Sequence, residues 1–227
     1  MKRVVTPELL DTDAGAPEEV EGSLQDLRWF NRYFGGVTTT THLLAGVAER
    51  TRLRKIGYLD IGSATGYGPA AAGQALAKRG VALETTLLDR AISHFALNGE
   101  PPTAAAVGGD ALQLPFADGS FDVAGSSLFV HHLEPAEVVR FLNEALRVCI
   151  HAVITNDLRR SFLHLMAARA GAPVYRSRIT RFDAVASVRR AYTPAEMGAM
   201  LEQTNAARFE MSEHYFYRMG VVAWKHA

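Results

Sequence analysis

Residues 56–79 pass from a short apolar run through a glycine-rich turn into a helix-forming stretch, and few folds accommodate that succession. Ile56-Gly-Tyr-Leu-Asp-Ile61 reads as a buried strand. The turn is Tyr58-Leu-Asp60-Ile-Gly62-Ser-Ala64-Thr-Gly66-Tyr-Gly68. Pro69 suits the first position of a helix that runs to Arg79 and stops at Gly80. Glycines in such a turn supply positive φ and let the backbone approach a ligand closely. The alternation then continues. Strands are expected at 82–88, 104–107, 121–128 and 150–155, with helices at 90–98 and 135–147. Strands alternating with helices predict a mostly parallel sheet covered on both faces. In such a sheet, ligands bind outside the carboxyl ends of the strands at the switch point, where the glycine turn belongs.

The flanks depart from this rhythm. Residues 1–22 are acidic, carry Gly15, Pro17 and Gly22, and read as a mobile arm or a loosely packed lid. A helix is expected at 23–34, with Ser23 and Asp26 as a capping-box variant and Leu24, Leu27, Phe30 and Phe34 on one side. Gly35-Gly36 stops it, and a second helix follows at 41–53. Residues 156–192 interrupt the alternation and hold Arg159, Arg160, Arg169, Arg176, Arg178, Arg181, Arg189 and Arg190. That series is either a solvated face or a grip for a carboxylate. Thr193-Pro-Ala-Glu196 is a capping box that opens another helix. Strands at 208–213 and 215–224 read as an antiparallel hairpin closing the sheet edge. The division is thus an arm and helical cap at 1–54, and a sheet domain at 55–227 with an insertion at 156–192.

The 227 residues suit one such domain. Lys+Arg and Asp+Glu are 24 each, which speaks against a broad nucleic-acid footprint or steering toward anionic membranes. The lone Cys149 excludes an internal disulfide and every multi-cysteine metal cage. The amino-terminal stretch has no signal-peptide core, and no apolar run is long enough to insert in a membrane. The chain reads as a soluble, cytoplasmic protein.

The glycine turn separates two ligand classes. Aligned with G-x-G-x-x-G, Gly62 takes the first glycine, but Ala64 and Tyr67 fall on the other two. Against acidic-x-G-x-G-x-G, Asp60, Gly62, Ala64 and Gly66 match with one exchange of Gly for Ala. Here the chain resembles the Rossmann-like S-adenosylmethionine-dependent methyltransferases. The resemblance implies a seven-stranded, mostly parallel α/β sheet, with the turn around the methionine and ribose part of S-adenosylmethionine. It extends to Leu87-Leu88-Asp89, where the family places an acid on the ribose hydroxyls, next to Arg90. It continues at Gly109-Asp110-Ala111, near the adenine. Leu114-Pro115-Phe116 and Asp118-Gly-Ser-Phe-Asp-Val123 resemble the ubiquinone/menaquinone-biosynthesis branch, as does Ser126-Ser127-Leu-Phe-Val-His131-His132-Leu133. Asn31-Arg-Tyr-Phe-Gly-Gly36, Asn156-Asp-Leu-Arg-Arg160 and Arg189-Arg-Ala-Tyr-Thr-Pro194 resemble methyltransferases that accompany bacterial aromatic-polyketide enzymes.

The cofactor-binding set that follows is Asp60, Gly62, Ala64, Gly66, Asp89, Arg90, Asp110, Ala111 and Ser127. His131 and His132 end a strand that faces the cofactor. One of them, with His132 preferred, is the candidate general base, since an unperturbed imidazole titrates near ~6.5. The remaining histidines show no ligand spacing, so no metal is expected. The acceptor is expected to be a small aromatic molecule methylated on a hydroxyl or ring carbon. Trp29, Phe30, Tyr33 and Phe34 would form an aromatic cap over it. Two alternatives stay open: a non-catalytic S-adenosylmethionine-binding relative, and an NAD-linked oxidoreductase.

Overall fold

β1 (Lys55–Ile61) runs through a seven-stranded sheet in the computed structural model, which describes residues 1–12, 15–95 and 104–226. The other strands are β2 (Ala82–Asp89), β3 (Ala105–Gly108), β4 (Phe121–Ser127), β5 (Cys149–Leu158), β6 (Arg208–His214) and β7 (Arg218–Trp224). Their order is β3-β2-β1-β4-β5-β7-β6, as expected for the Rossmann-like methyltransferase architecture. β1 to β5 pair in parallel, and β7 inserts antiparallel between β5 and β6. The chain leaves β1 toward β2 and β3, then returns to β4 on β1's other side. The switch point therefore lies between β1 and β4.

Alternation along β1 places Ile56 and Tyr58 on one face, Leu59 and Ile61 on the other. Ile56 and Tyr58 pack with Leu44 and Val47 of α2 (Gly36–Thr51) and Leu76 of α3 (Tyr67–Ala77). Leu59 and Ile61 join Phe141 and Leu142 of α4 (Pro135–Val148) and Met197 of α7 (Pro194–Leu201). Each fully buried side chain of this size stabilises the sheet by roughly 1.5–3 kcal/mol.

Several boundaries differ from the sequence expectation. α1 (Pro17–Tyr33) begins at Pro17, not Ser23, because Glu19 reaches back to the Ala16 amide and supplies the cap. Ser23 and Asp26 are buried inside that helix, where Asp26 accepts from the amides of Arg176 and Ser177. α2 starts at Gly36 directly after Gly35, whose φ is +81°. Within the helix expected at 90–98, residues 92–95 form a single 3-10 turn, and 96–98 lie outside the described residues. The 156–192 segment holds the end of β5 and two helices, α5 (Phe162–Ala170) and α6 (Arg178–Arg190).

Candidate active site

Three left-handed turns at alternate positions shape the loop after β1: Gly62 at φ +70°, Ala64 at +46° and Gly66 at +68°. Glycine takes that conformation freely, whereas alanine there costs roughly 1 kcal/mol. Asp89 at the end of β2 offsets this by accepting the Ala64 amide at 2.8 Å on Oδ2, while its Oδ1 accepts the Ala91 amide at 2.9 Å. Gly62 and Ser63 donate to the Leu88 carbonyl at 2.9 and 3.2 Å. The two strand ends thus hold each other in register.

This loop lines a cavity of about 900 Å³ on the carboxyl edge of the sheet. Asp60, Gly62, Ala64, Asp89, Arg90, Asp110, Ala111 and Ser127 all face it. Gly66 does not line it. Its role is conformational, because a Cβ there would lie 2.6 Å from Leu87. The space beside Gly62 is likewise taken by protein, with the Phe129 ring 2.6 Å from where a Cβ would sit. Asp60 is buried and accepts the Tyr58 hydroxyl at 2.9 Å. Burial pushes its carboxyl up to about 7, with nearby Asp89 adding to the rise. Asp110 pairs with Arg90 at 3.2 Å on the rim. The Ser127 hydroxyl is buried with no hydrogen-bond partner among the described residues.

His131 and His132 occupy a 3-10 turn just beyond β4, and three carboxylates converge on them. His131 Nδ1 lies 2.7 Å from Asp157 Oδ1, its amide donates to Asp157 Oδ2 at 3.0 Å, and its Nε2 is 3.4 Å from Glu8. Burial alone would lower this imidazole, but Asp157 and then Glu8 outweigh it and hold it up at about 10. His131 therefore keeps its proton at neutral pH and is no acceptor for another. His132 is the more open of the two, with Nδ1 3.1 Å from Asp11 and its ring stacked on Phe129. Glu8, His131 and His132 bring metal-ligating atom types within 4.8 Å of one another, a grouping that sequence spacing conceals.

The far wall is aromatic. Trp29, Phe30 and Phe34 of the cap face the cavity with Tyr175, Phe216 and the imidazole of His164. Tyr33, expected with them, is exposed instead. None of the eight arginines in 156–192 lines the cavity. Arg160 is buried in structural bonds to Met1, Ala191 and Glu196, and Arg190 donates to the His132 carbonyl.

Residues 59–154 match the family described as "Methyltransferase domain". Over that stretch, less than half of its length, the chain is similar to a methyltransferase domain. No curated protein matches it. Among solved structures, the plantazolicin methyltransferase BpumL in complex with SAH superposes with a TM-score of 0.67 at 14% identity, covering 97% of this chain and 95% of that one. A SAM-dependent methyltransferase from Aquifex aeolicus gives 0.55 at 18%, covering 79% and 88%. The magnesium protoporphyrin IX methyltransferase from Synechocystis PCC 6803, with bound SAH, gives 0.54 at 14%, covering 85% and 84%. At these identities the likeness is one of fold, and none of the three is a quinone-pathway enzyme by name.

Three cavity-lining residues escape a reading of the sequence, Glu8, Asp11 and Arg218, as does Asp157, which holds His131. Glu8 and Asp11 sit in the segment read as a loose arm. Asp157 stands in the quoted Asn156–Arg160 motif, which was the one available signal. Arg218 has no local motif at all.

Proposed function

We propose that the protein transfers the methyl group of S-adenosylmethionine to a small aromatic acceptor, on a hydroxyl or an adjacent ring carbon, as quinone- or polyketide-modifying enzymes do. The observation that carries this reading is one continuous cavity joining a carboxylate-rich end, the histidine pair and an aromatic wall. Asp60, Asp89 and Asp110 suit the hydroxyls and cationic groups of S-adenosylmethionine, and the orphaned Ser127 hydroxyl awaits a polar partner. The same carboxylates would repel the pyrophosphate of NAD, which weighs against an oxidoreductase. Bound S-adenosylmethionine supplies a methyl group made electrophilic by its sulfonium.

The chain's own residues do the rest. Asp89 and the loop amides fix the loop that would cradle the cofactor. Trp29, Phe30 and Phe34 shed water from a flat acceptor and align it. His132 takes the acceptor proton, with Asp11 orienting its ring. Protonated His131 places positive charge where a phenolate would develop. This catalytic role separates the reading from a non-catalytic cofactor-binding relative.

Titration calorimetry with S-adenosylmethionine, S-adenosylhomocysteine and NAD tests the first step, and preferential NAD binding would refute it. Mass spectrometry of hydroxyarene acceptors then reads out methyl transfer. His132→Ala is expected to lower kcat by ~10²–10⁴ with cofactor affinity nearly intact. The loss shrinks as pH approaches the acceptor phenol's own pKa of ~10. An equal loss of cofactor binding would assign His132 to structure.

A further inference from the structure

In sheet order, the cavity-lining residues at or just past the strand ends run Asp110, Asp89, Asp60, Ser127, Leu158 and Arg218. The series begins with carboxylates and ends with a guanidinium. Arg218 opens β7, opposite Leu158 of β5, and is 2% exposed. Its one side-chain hydrogen bond among the described residues runs from Nε to the Phe34 carbonyl at 3.2 Å. Nη1 is buried with no partner, and Arg218 makes no ion pair within 4.0 Å among the described residues. Asp157 is the neighbouring acid, but its Oδ1 is shared by His131 and the Leu158 amide and its Oδ2 is taken by the His131 amide. Burial pushes the guanidinium down to about 10, so it still carries its charge at neutral pH.

A buried cation with most of its donors idle is expensive to keep, and five N–H groups in a planar fork match a carboxylate. The surroundings match the rest of such a ligand. Phe34 meets Phe216 at 5.4 Å between ring centroids, Phe30 meets Tyr175 at 5.4 Å, and His164 meets Phe216 at 6.0 Å. Burial holds His164 down at about 4, so it adds an uncharged ring at neutral pH. We propose that the acceptor is an aromatic carboxylic acid whose carboxylate is received by Arg218 while its ring lies among these aromatic side chains. This rests on the methyltransferase reading above and narrows its acceptor. The grip that the sequence suggested for the 156–192 arginines falls instead to a residue outside that series.

The test is titration calorimetry of the full chain, with and without S-adenosylhomocysteine. The probes are 2-hydroxybenzoate against uncharged 2-hydroxybenzamide, and 1-hydroxy-2-naphthoate against its amide. At least one acid is expected to bind about tenfold or more tighter than its amide, the range of a hydrogen bond to a charged group. Arg218→Met should erase that preference while S-adenosylhomocysteine affinity stays within about threefold, and Arg218→Lys should restore part of it. Equal binding of acid and amide in both pairs, or a preference that survives Arg218→Met, overturns the proposal. If Arg218→Met does not fold, the comparison within each pair on the wild-type chain decides. Acid preference without any S-adenosylhomocysteine binding would keep the anion anchor and sink the methyltransferase reading; the reverse result would do the opposite.

Discussion

Asp60 ends β1 with 3% of its surface exposed, and burial holds its carboxyl up at about 7. An unfolded aspartate titrates near ~3.9. Between those values the folded state binds the extra proton, so folding stability falls as pH rises through the window. Asp60→Asn removes that loss. Urea denaturation of the cofactor-free chain from pH 5 to 8 should show the variant gaining on wild type by an amount of order a few kcal/mol. A gap that stays flat with pH would mean that Asp60 ionises normally. Asp89 is the complementary case. Its two oxygens bind the Ala64 and Ala91 amides, so it supports the loop as well as facing the cavity. Asp89→Ala should lower stability by about 1.5–3 kcal/mol and weaken S-adenosylmethionine binding together with it. Weakened binding at unchanged thermal midpoint would show that the loop does not depend on this carboxylate.

Helix junctions do the positioning at the next scale. α1 and α2 meet at Gly35, whose φ of +81° turns the chain against the loop between β6 and β7. A Cβ on residue 35 would lie 1.5 Å from the Tyr215 carbonyl oxygen. Just beyond, Asn156 of β5 donates to the Gly36 carbonyl at 2.8 Å and Thr40 at 3.0 Å, binding the start of α2 to the sheet. Gly35→Ala therefore strains the backbone and displaces the hairpin at once. It should destabilise the protein by at least about 2–3 kcal/mol in urea titration. A change within about 0.5 kcal/mol would show that the junction yields freely. The sequence marked this glycine pair as a helix stop, and the stop is there. The immediate restart of α2 at Gly36 was hidden because Val37 and the threonines at 38–41 have weak helix propensity. Packing of Thr39, Thr40, Leu43 and Leu44 against the sheet overrides that preference.

Across the whole molecule the amino-terminal segment behaves as part of the site. Arg3 donates to the Arg190 and Leu133 carbonyls and sits over the Tyr192 ring. The Leu9 and Leu10 amides donate to Asp183 at 2.8 and 3.1 Å. These ties seat Glu8 and Asp11 on the histidine pair. Removing residues 1–12 should abolish methyl transfer while leaving cofactor affinity within about threefold, because the loop after β1 makes none of these bonds. Calorimetry and turnover on the truncated chain check this, and parallel loss of cofactor binding would place the segment in the cofactor half instead.

What sequence alone determined was local: the strand–glycine turn–helix unit, the alternation that dictates a parallel sheet, the capping box at Thr193, and the acids at successive strand ends. Each depends on residues a few positions apart, where periodicity and backbone preference act directly. The carboxylate-rich end of the cavity was legible for that reason, since its residues follow one another strand by strand. The end that holds the histidine pair and Arg218 was not. Glu8 reaches His131 across more than a hundred residues, and Arg218 meets the cavity only because β7 enters the sheet antiparallel beside β5. Whether a carboxylate or guanidinium is solvated, paired or left waiting for a ligand depends on burial and on neighbours brought together by the fold. Only the tertiary structure could therefore separate the arginines that brace the molecule from Arg218, which lines its cavity without an ion-pair partner among the described residues.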